Sequence, residues 1–217
     1  YRYSSGAFFS PTLLLMAQKG IVLTVAHLRG GGEKGESWHL SGYKQSKPNT
    51  WKDLNSTAQY LIDKGYTGTK YLSCEGGSAG GILIGRAITE QPDLWACAVP
   101  QVGCLSMVRQ EFAPNGPINT PEFGTVKNIN EFFALMEMDA TLHVTDQTNY
   151  PAMLITTGWN DPRVISWQPG KFAAAVQKAN TSNNPILLEV DYNGGHGDSE
   201  DKFAAYKKEA KKWAFIL

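Results

Sequence analysis

The chain has little that would tie it to a charged partner. Its 20 Lys and Arg balance 20 Asp and Glu, for a formal net charge of zero. No basic excess is present to hold a nucleic acid, and no acidic excess to draw a cationic partner. Lys207, Lys208, Lys211 and Lys212 cluster only locally, as the solvated face of a terminal helix would. No run of about 18 apolar residues occurs, so no membrane partner is expected. No leader pattern is visible at the start, which opens at Tyr1 in mid-motif. Cysteine is scarce. Cys74, Cys97 and Cys104 are the three present, with neither a Cys-x-x-Cys nor a metal-ligand spacing, so no metal is expected. An odd, low count points to a reducing compartment, and the expected location is cytoplasmic.

What is present suits one folded domain. The chain has 217 residues, 42% hydrophobic and 11% aromatic, which excludes a disordered polymer. Strand-like and helix-like runs alternate. Residues 21–26 (IVLTVA), 70–74, 96–102, 152–157 and 185–191 are expected as strands. Residues 51–64, 80–89, 130–138, 169–179 and 199–216 are expected as helices, with Gly65 just past the first of them. Residues 111–123, with three prolines, are expected to be irregular. Apolar strands alternating with helices imply a mostly parallel sheet with helices on both faces, in a single α/β domain over residues 1–217. Reactive groups in such sheets collect on loops after the carboxyl ends of the strands.

The strongest motif is Gly76-Gly77-Ser78-Ala79-Gly80, between an expected strand and an expected helix. That context holds a serine hydroxyl out on a strained turn at the top of a sheet, with small residues expected on both flanks. Ser78 is the candidate nucleophile. The N–H of Ala79, at the start of the following helix, is the candidate oxyanion donor. A phosphate-binding loop is disfavoured because the Gly-Lys-Ser/Thr ending is missing.

A serine hydroxyl needs a base. Of His27, His39, His143 and His196, only the last two follow Ser78, as the chain order of this class requires. His196 lies in a glycine-flanked loop after the 185–191 strand and is the candidate base. His143 is expected to pack or face solvent, and His27 and His39 to be structural. Asp161, directly after the 152–157 strand, is the candidate acid that orients the base. Asp139 and Asp146 precede that strand, Asp191 ends the strand leading into the histidine loop, and Asp198 is expected to cap the last helix. This chemistry needs no cofactor.

These residues resemble the peptidase domain of the prolyl oligopeptidase family over nearly the whole chain. The resemblance rests on LRGGGEKGESWH (28–39), GGSAGGIL (76–83), NDPRV (160–164) and GGHG (194–197), with the oligopeptidase B branch the nearer. It implies the α/β-hydrolase fold and cleavage of short peptides through an acyl-enzyme on Ser78. It also implies an N-terminal β-propeller and an oxyanion tyrosine, both expected to precede Tyr1, so the chain is expected to be an N-terminally truncated piece. By the resemblance Arg163 holds a substrate carbonyl and Tyr1 lies near an aromatic of the substrate pocket. Glu122 keeps one carboxylate of a pair that selects basic residues, Gly124 standing where the second would be. The tryptophan of proline-specific members would fall near Asn119. A basic or mixed preference is expected. Two other readings stay open: an esterase-like hydrolase on the same fold, and an inactive fragment of a larger peptidase.

Overall fold

The computed structural model describes residues 1–197 and 201–217. Helix α1 (Pro11–Gln18) and the short α2 (Glu36–Leu40) precede the long α3 (Pro48–Asp63). The end of α3 follows from its glycine. Gly65 sits at φ +73°, the Gly65 N–H bonds the Ile62 carbonyl and the Tyr66 N–H bonds the Leu61 carbonyl. This pair of bonds closes a helix through a left-handed residue, a conformation that glycine adopts without a Cβ penalty.

Four parallel strands follow: β1 (Ser73–Gly77), β2 (Cys97–Gln101), β3 (Ala152–Gly158) and β4 (Ile186–Asp191), hydrogen-bonded in the order β1-β2-β3-β4. Helix α4 (Gly80–Glu90) joins β1 to β2. The short α5 (Thr120–Phe123) and α6 (Ile129–Met138) lie between β2 and β3, α7 (Trp167–Ala179) joins β3 to β4, and α8 (Lys202–Ile216) ends the chain. Met153 and Ile155 of β3 join the core that includes Ile82, Ile84 and Ile88 of α4 and Phe172 and Val176 of α7. Their neighbour Leu154 joins Cys97 and Val99 in a second cluster, under Phe215 and Ile216 of α8. Alternate residues of one strand thus serve two helical layers, which is why β3 opens as an unbroken apolar run, Ala152 to Ile155.

Two expectations change. Residues 21–26 form no strand. Val22, Leu23 and Val25 are exposed, and from Val22 to His27 no backbone hydrogen bond forms among the described residues. The run has strand chemistry but no lateral partner, and extended backbone is stable only in a ladder. The expected strand at 70–74 moves to Ser73–Gly77 and runs straight into the serine turn. Asp198 lies outside the described residues. Asp201 caps α8, its Oδ1 accepting from the N–H groups of Phe203 and Ala204 at 2.7 and 2.9 Å.

Candidate active site

Ser78 stands at φ +55°, a left-handed backbone that an L side chain adopts at a cost of roughly 1–2 kcal/mol. Three backbone bonds hold the turn. The Ser78 N–H donates to the Gln101 carbonyl, and the Ser78 carbonyl accepts from Gly81 and Cys104. The surrounding glycines are not equivalent. A Cβ on Gly76 would meet the Ile84 side chain at 2.8 Å, and one on Gly81 would meet the Gly103 Cα at 2.4 Å. A Cβ on Gly80 would meet nothing within 4 Å. The crowding expected on both flanks of the serine therefore falls on Gly76 and Gly81, where α4 presses on the sheet end.

Around this turn three distant segments converge. His196 Nε2 lies 2.8 Å from Ser78 Oγ, and His196 Nδ1 lies 2.7 Å from Asp161 Oδ2. The other oxygen of Asp161 accepts the backbone N–H groups of Arg163 at 2.8 Å and Val164 at 2.9 Å. The Asp161 side chain is wholly shielded from solvent, so its charge is met by the imidazole and two amides and not by water. With Nδ1 donating to Asp161, the Nε2 lone pair faces the serine hydroxyl, the tautomer a general base needs. The Ala79 N–H has no partner among the described residues. It opens α4, where helix N–H groups lack internal acceptors.

The acid and histidine loops are tied together. Asn160 N–H bonds the Gly194 carbonyl, Asn160 Nδ2 donates to the Tyr192 carbonyl at 3.1 Å, and Trp159 N–H bonds the Asp191 carbonyl. Asp191 braces the turn from inside, its Oδ1 accepting from Asn193 and Gly194 while Oδ2 pairs with Lys208 at 2.7 Å. The Lys208 ammonium holds the Asp191 carboxyl below its ordinary range. A side chain on Gly158 would strike the Gly194 and Gly195 carbonyls, so the two loops meet backbone to backbone.

Of the residues expected to touch substrate, Tyr1 and Glu122 meet through Lys47. Glu122 Oε1 is 2.5 Å from Lys47 Nζ, and Glu122 Oε2 is 2.9 Å from His39 Nε2. Lys47 is completely buried, its ammonium 3.5 Å from the centre of the Tyr1 ring, and Tyr1 stands edge-on to Phe123. Burial pushes Lys47 down to about 8 against the opposing pull of Glu122, and it raises the Tyr1 phenol. Both oxygens of Glu122 are thus engaged within the protein. Sequence reasoning missed Lys47, and a lysine directly before a proline gives no local signal of burial. Arg163 is exposed and has no acidic partner among the described residues.

The remaining candidates take structural places. His39 is buried against Glu122, His27 pairs with Glu33 at 3.1 Å, and His143 bonds the Met136 carbonyl at 3.1 Å. Asp139 accepts from Ser106 Oγ and the Val108 N–H, with its carboxyl raised by burial, and Asp146 is exposed. Among the described residues no group of three or more His, Cys, Asp or Glu is placed to hold a metal ion.

A family model described as the prolyl oligopeptidase family matches residues 7–217. The chain belongs to the prolyl oligopeptidase family. It is 34% identical over 220 residues to Protease 2 of Moraxella lacunata, covering 100% of this chain and 32% of that protein. It is 33% identical to a prolyl endopeptidase of Elizabethkingia miricola, covering 99% of this chain and 32% of that one. Among solved structures, oligopeptidase B from Leishmania major superposes with a TM-score of 0.93 at 30% identity, over 99% of this chain and 30% of that chain. A prolyl endopeptidase superposes with a TM-score of 0.95 at 34% identity, over 99% of this chain and 32% of that chain. This prolyl oligopeptidase family chain has the α/β-hydrolase fold, and it spans about a third of the length of these relatives.

Proposed function

We propose that the chain carries the catalytic centre of a serine-type oligopeptidase that cleaves short peptides through an acyl-enzyme on Ser78. The observation that carries this reading is the hydrogen-bonded line from Ser78 through His196 to Asp161, at 2.8 and 2.7 Å. In the proposed reaction Ser78 Oγ attacks the peptide carbonyl while His196 Nε2 takes the hydroxyl proton. Asp161 holds the imidazole in place and stabilises the imidazolium. The Ala79 N–H meets the oxyanion, an interaction worth about 3–4 kcal/mol where such donors have been removed. His196 then returns the proton to the leaving amine, and the cycle repeats with water as nucleophile and the peptide acid as product.

Arg163, exposed beside the acid, is proposed to hold a substrate carbonyl. Tyr1 and Glu122 are proposed to line the specificity pocket. With the Glu122 carboxylate shared between Lys47 and His39, this reading favours a mixed preference over a strongly basic one. A propeller on another segment of the same polypeptide is proposed to admit only short peptides. A cytoplasmic location belongs to the same proposal and is in keeping with three cysteines that are all free thiols.

A fluorophosphonate probe with intact-mass readout tests the nucleophile. One probe per chain, lost in Ser78→Ala, is the expected result. A labelled chain that cleaves acyl esters but no peptide amide is an esterase-like hydrolase, and a folded chain that takes no label overturns the reading.

A further inference from the structure

A cavity of about 360 Å³ opens beside the acid loop, between the 3-10 turn Met107–Phe112 and the start of α7. Its lining is Arg109, Phe112, Ala113, Ile165, Trp167 and Lys171. That volume falls in the range of small-ligand sites, and the mixture of apolar wall with a few polar groups is typical of them. The polar groups here have one sign. Arg109 stands on one wall and Lys171 on the other. Neither makes an ion pair among the described residues, and no acidic residue is in the lining. Glu111, the nearest acid in sequence to Arg109, is turned to Thr125 Oγ1 and the Val126 N–H. Phe112 is 70% exposed, a large apolar side chain left for something to cover.

The two walls are fastened behind the cavity. Gln168 is completely buried, its Oε1 accepting from the Ser106 N–H at 3.1 Å and its Nε2 donating to Gln110 Oε1. Gln110, also buried, donates to the Arg163 carbonyl at 3.4 Å, and the Arg163 N–H donates to Asp161 Oδ1. Two hydrogen bonds therefore separate the back of the cavity from the catalytic acid. Ile165 of the lining follows Asp161 by four residues, a span of at most about 14 Å.

Resting on the peptidase reading, we infer that this cavity is a substrate subsite that takes a carboxylate carried on an apolar residue of the peptide. The carboxylate sits between Arg109 and Lys171, and the apolar body covers Phe112 and Trp167. A bare inorganic anion would gain nothing from the aromatic walls, and an uncharged apolar group would leave Arg109 answered only by water and Lys171 only by water and the Trp167 ring, 5.5 Å from its ammonium. Either the C-terminal carboxylate of a short peptide or an acidic side chain supplies this chemistry.

Calorimetry on the Ser78→Ala protein, which binds without turnover, tests the subsite. Three acetylated tetrapeptides of alanine and leucine serve as probes: one with a free C-terminal carboxylate, its C-terminal amide, and the amide with one internal glutamate. At least one acid is expected to bind about fivefold or more tighter than the neutral amide, the gain of a single good ion pair. Arg109→Gln and Lys171→Gln are each expected to erase most of that preference. Preference for the free acid alone identifies the terminal carboxylate as ligand, and preference for the glutamate peptide alone identifies the side chain. Equal binding of all three, no binding at all, or a preference that survives both substitutions overturns the subsite. Probe labelling of the unsubstituted chain reads the nucleophile separately, so a failed subsite and a failed peptidase reading give different results.

Discussion

Asp161 and His196 meet at 2.7 Å through one carboxylate oxygen, while the other oxygen of Asp161 is spent on its own loop. One residue thus fixes both the imidazole and the backbone that leads to Arg163.

Asp161→Asn separates these two duties. The amide oxygen can still accept from Arg163 and Val164, so the loop and the fold are expected to survive. The amide nitrogen cannot accept from Nδ1–H, and the imidazole takes the wrong tautomer. We expect kcat to fall about 10⁴-fold, the loss seen when a triad aspartate is so changed, with an unaltered circular dichroism spectrum. A loss below tenfold would remove Asp161 from the triad.

Gly80→Ala and Gly81→Ala should part company in urea unfolding. The first places its methyl in open space at the start of α4, where alanine is the better helix former by up to about 1 kcal/mol. The second drives a methyl onto the Gly103 Cα and the Cys104 N at 2.4 and 2.8 Å. Both are backbone and cannot swing aside, and a loss of at least about 2 kcal/mol is expected. Equal stabilities would contradict the close approach of α4 to the loop after β2.

Lys47 gives a pH signature. Burial lowers its folded value to about 8, below the ordinary lysine of the unfolded chain. Between those values the unfolded chain binds more protons, so this group makes stability rise with pH from about 8 to about 10.5. Unfolding free energies of the wild type minus those of Lys47→Met should therefore increase over that window, by up to about 3 kcal/mol. A flat or falling difference would refute a depressed Lys47.

Asp191→Ala tests positioning without touching the triad. It removes the acceptor for Asn193 and Gly194 that shapes the His196 loop. Displacements of about 1 Å at such a distance cost up to about a hundredfold. We expect kcat to fall about tenfold or more, with KM and the apparent pKa of the rate profile unchanged. A rise in KM alone would assign Asp191 to binding instead.

The line from Ser78 to His196 to Asp161 was legible because each residue follows a strand, and a parallel sheet carries the carboxyl ends of its strands to one side. What lay hidden has no local pattern. Lys47 and Glu122 are 75 residues apart, and nothing near either marks them as partners. Residues 21–26 misled for a related reason: composition records fitness for a sheet, but a strand also needs a neighbour, which no run of residues can announce about itself. Gly80 misled differently, since a motif names its glycines alike while packing crowds only some of them.

The left-handed backbone at Ser78 has one more implication. A glycine there would relax the turn, so the chain would gain about 1 kcal/mol by discarding its reactive oxygen, the strain relieved less the extra freedom of an unfolded glycine. A search for heat-resistant variants that ignored turnover would drift toward that glycine and return a sturdier, inert molecule. Durability and reactivity compete at this single position, and only a screen that scores both would keep the serine.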